Sequence, residues 1–267
     1  MEAWIPVPQS GPFQTIEGLS VTTDLPYRLE TDSIYHNLYL HISPLEFTGI
    51  DTLSLLFTVH RQETSTYEDN LENFASDLFL QPYLNVPLDP GFYSLTDSLT
   101  RNHESTPKNI YELILNHMQY DKSGIGWGLG DAVYACDIGK GNCTDYHSLF
   151  NALVRLQKIP ARFNIGFPIP KVSSGPVPGY HCWTEFSQDG KYWTPVDISN
   201  ADKNPGTEDY YYGHLDNHRV KFTIGRDIPL PGGTSEDILN FSIYPYVKVD
   251  GLPSKGTISN FSFVALD

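Results

Sequence analysis

Gly141-Asn142-Cys143-Thr144-Asp145-Tyr146-His147-Ser148-Leu149-Phe150 carries a glycine-rich approach into what reads as the start of a helix. Leu149, Phe150, Leu153 and Val154 recur at three- and four-residue spacing, and Pro160 ends the run. A cysteine in the first turn of such a helix faces its positive dipole end and unpaired backbone amides, both of which favour thiolate over thiol. Cys143 is therefore the first candidate for nucleophilic chemistry. A lone cysteine is as readily a small buried apolar residue, so this stretch alone leaves both readings open. His147, four residues on, shares a helix face with Cys143 and reads as a surface histidine rather than a second base.

Downstream, residues 179–197 read as two aromatic-rich strands around Asp189-Gly190. A two-residue loop would pair Gln188 with Lys191 and put Asp197 opposite Cys182, on the face away from His181. A three-residue loop of Gln188, Asp189 and a left-handed Gly190 pairs Ser187 with Lys191 instead. His181 then stands opposite Asp197 on one face. Loop length thus decides whether the imidazole has a carboxylate to orient it while its other nitrogen faces a thiolate.

At these residues the sequence resembles the transglutaminase-like superfamily of papain-like cysteine enzymes, bacterial type. The stretch 141–145 is similar to the family's nucleophile block, and Leu156-Gln157-Lys158-Ile159-Pro160-Ala161-Arg162-Phe163 to the helix end and following strand. His181-Cys182-Trp183 looks like the histidine strand and Pro195-Val196-Asp197 like the acid, the match being clearest over residues 107–200. The resemblance implies that Cys143 is the nucleophile, His181 the general base and later acid, and Asp197 the partner of the histidine. Related enzymes add a side-chain donor for the oxyanion ahead of the cysteine, an indole in transglutaminases and a glutamine amide in papain-like proteases. The position six before Cys143 is Asp137, so the papain pattern is not met. Trp127 is the candidate donor beside the Cys143 amide, with packing or lining the cleft as its other reading. Bacterial members often carry export signals, and the chain opens abruptly in strand-like sequence. A periplasmic or cell-envelope location with a leader removed is therefore expected over the cytoplasm.

The 267 residues suffice for a substantial core, and a net charge of −15 argues against nucleic acid as a partner. No run is long enough to span a membrane. Three cysteines allow at most one disulfide, Cys136 with Cys182 being the pair to consider. No metal or other cofactor is expected. The cysteines and histidines lack knuckle spacing, His181 and Cys182 should point to opposite faces of their strand, and no EF-hand signature is present. Glycines at 124, 126, 128 and 130 exclude regular structure and suit a wall of the cleft rather than a phosphate loop.

The expected fold is α+β. Residues 1–95, with strands at 38–42 and 52–59 and a short helix from Glu68 through Phe74 and Leu78, read as an N-terminal β-sandwich. Residues 96–267 read as a transglutaminase-like (papain-like) catalytic core of helices packed on an antiparallel sheet. In it Thr106-Pro107 opens a helix carrying Ile110, Leu113 and Ile114, and residues 219–224, 241–244 and 246–249 extend the sheet. The expected activity is acyl transfer from a protein or peptide amide through a thioester on Cys143. An amine acceptor makes the enzyme a transamidase; water makes it a peptidase or deamidase. A non-catalytic envelope binding or scaffold protein is the alternative from another class.

Overall fold

The computed structural model describes residues 1–43, 46, 52–68, 77–96, 106–254 and 256–266. The chain is a mixed α and β protein with few helices and many strands. It divides into two compact units, each built from separated segments. Among the described residues no helix is long and apolar enough to cross a membrane.

The first unit comprises Met1–Gln62, Ile165–Tyr180 and Asn217–Asp267. Its five-stranded sheet is centred on strand Glu2–Val7, which lies between Leu38–Ile42 and Tyr246–Val249 with antiparallel pairing on both sides. Alternation along that strand buries both faces. Ala3 and Val7 join Leu40 and Ile42 on one side, with Val21 and Leu55 of the separate ribbon Gln14–Thr22 and Ser54–Arg61 packed against them. Trp4 and Tyr39 meet Ile228 and Leu230 on the other. The Trp4 indole N–H donates to the Pro231 carbonyl at 2.8 Å, so this buried ring is satisfied.

The expected boundary near residue 95 is not where the contacts divide the chain. Strand Glu2–Val7 finds its second neighbour at the far end of the sequence, so residues 1–95 do not close a sandwich by themselves. Residues 63–95 fall in the other unit. Strand Leu38–Ile42 lies where expected. The helix expected from Glu68 through Phe74 to Leu78 falls mostly outside the described residues; Glu68 itself ends a strand, and Leu78–Leu80 makes a single 3-10 turn. Of the late strands, Arg219–Ile224 lies beside Ala161–Pro168. Tyr246–Val249 pairs instead with the first strand, and residues 241–244 form no strand.

The second unit comprises Glu63–Asn164 and His181–Asp216. Helix Pro107–His117 starts as read: the Thr106 hydroxyl accepts from the Asn109 amide, Pro107 occupies the first turn, and Ile110 and Ile114 are buried. A further helix, Ala132–Ile138, has no periodic signal in the sequence. Asp131 caps it and left-handed Gly139 ends it. Helix Cys143–Leu156 packs on strand His181–Phe186, with Phe150 and Phe186 rings 5.8 Å apart. Although its spacing reads as amphipathic, every residue from Cys143 to Arg155 is buried.

Strand Ala161–Pro168 begins in the second unit and passes into the first at Ile165. Within the first unit, Gly166 lies against the Val220 carbonyl, where an added Cβ would overlap backbone. Gly166→Ala is expected to cost about 1–3 kcal/mol by overpacking, read as a lower urea midpoint. An unchanged midpoint would mean that the strand shifts freely.

Candidate active site

The site is built at the start of helix Cys143–Leu156. Asn142 caps it, its side chain accepting from the Thr144 amide at 2.9 Å while Asp145 accepts from the Asn142 amide at 2.9 Å, a capping box. The amides of Asp145 and Tyr146 reach the Asn142 carbonyl at 3.1 and 3.2 Å. Among the described residues the Cys143 amide alone in this turn has no acceptor. The Asp145 carboxylate also accepts from the amides of Gly128 and Gly130 at 2.7 and 3.0 Å. It thereby ties the glycine-rich segment, with half-buried Trp127 in it, to the nucleophile's turn. Burial pushes the Asp145 carboxyl up, and the three amides oppose it. Gly128 is left-handed at φ 83°, and a Cβ there would come 3.3 Å from Nδ2 of the Asn142 side chain. The positive φ favours glycine at that position.

The hairpin adopts neither expected register. Thr184 pairs with Val196, Glu185 with Pro195 and Phe186 with Thr194, so the loop closes around Asp189, Gly190 and Lys191. Gly190 is left-handed, φ 74°, as expected. The Asp189 carboxylate accepts from the amides of Lys191 and Tyr192 at 2.9 and 2.8 Å, an Asx turn that moves the apex along the chain. Continued outward, this register faces Asp197 to Trp183 rather than to His181. The slip is two positions, and an even slip keeps the face. Asp197 therefore stays on the side of His181 as a diagonal neighbour. It leaves the strand after Val196, caps helix Ile198–Lys203, and meets His181 Nε2 through Oδ2 at 2.7 Å.

Cys143 hydrogen-bonds the same imidazole. Because Nε2 is engaged by the carboxylate, Nδ1 is the nitrogen left for the sulfur. Cys143, His181 and Asp197 are all buried, at 2%, 4% and 0% exposure. Burial pushes the Cys143 thiol up, but hydrogen bonds from Cys182 and His181 and the charge on His181 outweigh it and hold the thiol well below its ordinary value. For His181, burial disfavours the charged form, while the charge and hydrogen bond of Asp197 and the contact with Cys143 reverse that and raise its pKa. Both shifts run in the same sense, towards thiolate at Cys143 and imidazolium at His181.

His147 is not on the surface. It is fully buried, with Nδ1 2.7 Å from the Cys143 carbonyl and Nε2 accepting from the Ile198 amide at 3.1 Å. Burial lowers its pKa to about 4 against the pull of Asp197. His181 and Cys182, expected on opposite faces of their strand, both bear on the Cys143 thiol. Burial and the adjacent Cys143 push the Cys182 thiol well above its ordinary value, so it remains protonated.

No Cys136–Cys182 disulfide forms, and all three cysteines are free. Cys136 lies elsewhere, its sulfur 3.6 Å from the Ser94 hydroxyl. His117 bonds the Cys136 carbonyl at 2.7 Å, a structural role. Among the described residues no grouping of three or more His, Cys, Asp or Glu side chains is arranged to hold a metal ion. The clamp made by Asp145 was within reach of sequence reasoning, since Asn142 followed three residues later by an acid is a capping-box pattern. The burial of His147 carries no such local mark.

Residues 94–198, which include Cys143, His181 and Asp197, match the model of the transglutaminase-like superfamily. An uncharacterised protein of Haemophilus influenzae is 26% identical, in an alignment covering 94% of this chain and 81% of that protein. The crystal structure of a Cytophaga hutchinsonii protein, provisionally named a cysteine protease, superposes with a TM-score of 0.54 at 20% identity. That similarity covers 84% of this chain and 75% of the other and concerns the fold. Taken with the helix start, histidine strand and acid turn described above, the match identifies residues 94–198 as a domain of the transglutaminase-like superfamily.

Proposed function

We propose that the protein is a cysteine enzyme that cleaves amide bonds of proteins or peptides through a thioester on Cys143. The observation that carries this reading is the buried line of Cys143, His181 and Asp197 at a helix start within a transglutaminase-like domain. The thiolate adds to the amide carbonyl, and the carbon–nitrogen bond breaks as His181 passes its proton to the departing nitrogen. An acceptor then attacks the thioester, His181 takes the acceptor's proton, and the sulfur leaves as thiolate. With an amine as acceptor the enzyme is a transamidase; with water it is a peptidase or deamidase. Asp197 keeps the imidazole oriented and offsets its charge. The open Cys143 amide faces the developing oxyanion, and the Trp127 indole supplies a second donor. An envelope location belongs to the same proposal.

Peptide amides incubated with water alone or with a primary amine are expected to be hydrolysed or to take up the amine, with the activity abolished in Cys143→Ala. Equal turnover by that variant would remove the cysteine from the chemistry. The pH dependence follows from the two shifts. A lowered Cys143 keeps the thiolate at pH values where an ordinary thiol is protonated, and a raised His181 keeps its proton above the ordinary histidine range. Alkylation of Cys143 by iodoacetamide should therefore persist on the acid side, where Cys182, its thiol pushed up, is silent. The kcat/KM profile should fall at low pH with thiolate protonation and at high pH with loss of the His181 proton. Alkylation of all three cysteines with one common alkaline midpoint would contradict the ion pair. Trp127→Phe should lower kcat roughly a hundredfold, as removal of one oxyanion donor does, with KM little changed; undiminished turnover would assign the indole to packing.

A further inference from the structure

His147 stands beside the reacting groups yet takes no part in the steps above. A helical side chain leans towards the N-terminus of its helix, which brings this ring back over Cys143, one turn earlier. Its two nitrogens meet two different backbone segments: Nδ1 lies 2.7 Å from the Cys143 carbonyl and Nε2 3.1 Å from the Ile198 amide. Building on the function proposed above, we infer that His147 is a positioning residue, a neutral imidazole strut joining the nucleophile's backbone to the Asp197 turn so that sulfur and carboxylate both address His181.

The partners dictate the protonation state. A carbonyl oxygen has no hydrogen, so Nδ1 must carry one; the Ile198 amide has one, so Nε2 must be bare. A second ring proton would have to point at the Ile198 N–H. The groups facing the ring are Asp197, whose Oδ1 is 3.8 Å from Nε2, Cys182, whose sulfur is 3.6 Å from Nδ1, and the Cys143 and His181 pair. The carboxylate and the thiolate favour a second proton, whereas burial and the His181 charge oppose it. Two imidazoles therefore share one carboxylate, and only His181 holds the proton that the leaving amine requires.

The two ends of the strut can be cut separately. Asparagine places a polar atom near the Nδ1 position and glutamine one near Nε2, so His147→Asn retains the Cys143 contact and His147→Gln the Ile198 contact. Either variant is expected to slow alkylation of Cys143 at pH 7 and to reduce kcat by roughly ten- to a hundredfold, the scale of a displaced reacting group, with KM near the parent value. Effects below twofold in both variants, or a loss seen only at temperatures where the variant unfolds, would overturn the assignment. In the parent protein labelled with 15N-histidine, His147 should give the neutral Nδ1–H tautomer at pH 7; a doubly protonated ring or the Nε2–H tautomer would overturn it without recourse to variants. Alkylation needs no amide substrate, which separates two failures. If Cys143 of the parent protein is not selectively reactive, the proposed function falls; if it is, and both variants match it, only the strut falls.

Discussion

Helix Cys143–Leu156 is enclosed by protein from Cys143 to Arg155, so its polar side chains have given up water and most of their polar groups are paired inside, Asn151 Nδ2 being an exception. Leaving one such group unmatched costs about 1–3 kcal/mol. The pairings reach in different directions. Asp145 gathers the amides of Gly128, Gly130 and Asn142; His147 engages Ile198; Asn151 meets the Thr184 hydroxyl; Arg155 donates to the carbonyls of Gln81 and Ala161. These partners lie on the glycine-rich segment, the acid turn, the histidine strand and the strand that follows the helix. The contacts that permit the helix to be buried are thus the ones that assemble the site.

Charge is handled by the same enclosure. A thiolate out of water is costly unless a cation stands beside it; His181, hydrogen-bonded to Asp197, is the group whose charge favours the thiolate of Cys143. The alternation of acid, base and acid along one line leaves no second resting place for the proton. His147 has no room for a second ring proton beside the Ile198 amide, and Cys182 already keeps its own.

The sequence made Cys143, His181 and Asp197 legible because each sits at a local transition that leaves a mark: a capped helix start, a strand entry, and a strand exit into a helix cap. The route to Asp197 was nonetheless mistaken in detail. The Asx turn at Asp189 shifts the hairpin by two positions, which no residue of the strands announces, and Asp197 still meets His181 because an even shift preserves the face. His147 was illegible for a different reason. Thr144, Asp145, His147, Ser148 and Asn151 look like a solvent face, and what covers them comes from segments well separated in the chain. The same holds for the division into units, since nothing near Glu2 or Ala3 foretells that Lys248 and Val247 will lie beside them.

That last pairing bears on how the polypeptide matures as it leaves the ribosome. The opening strand can take Leu38–Ile42 as a neighbour early, but its opposite edge stays unzipped until Tyr246–Val249 has been translated. All of the cysteine-bearing segments emerge in that interval. A nascent chain with an unfilled β edge is open to pairing with a neighbouring polysome's product, so this strand is secured on both sides only after most of the chain has been made.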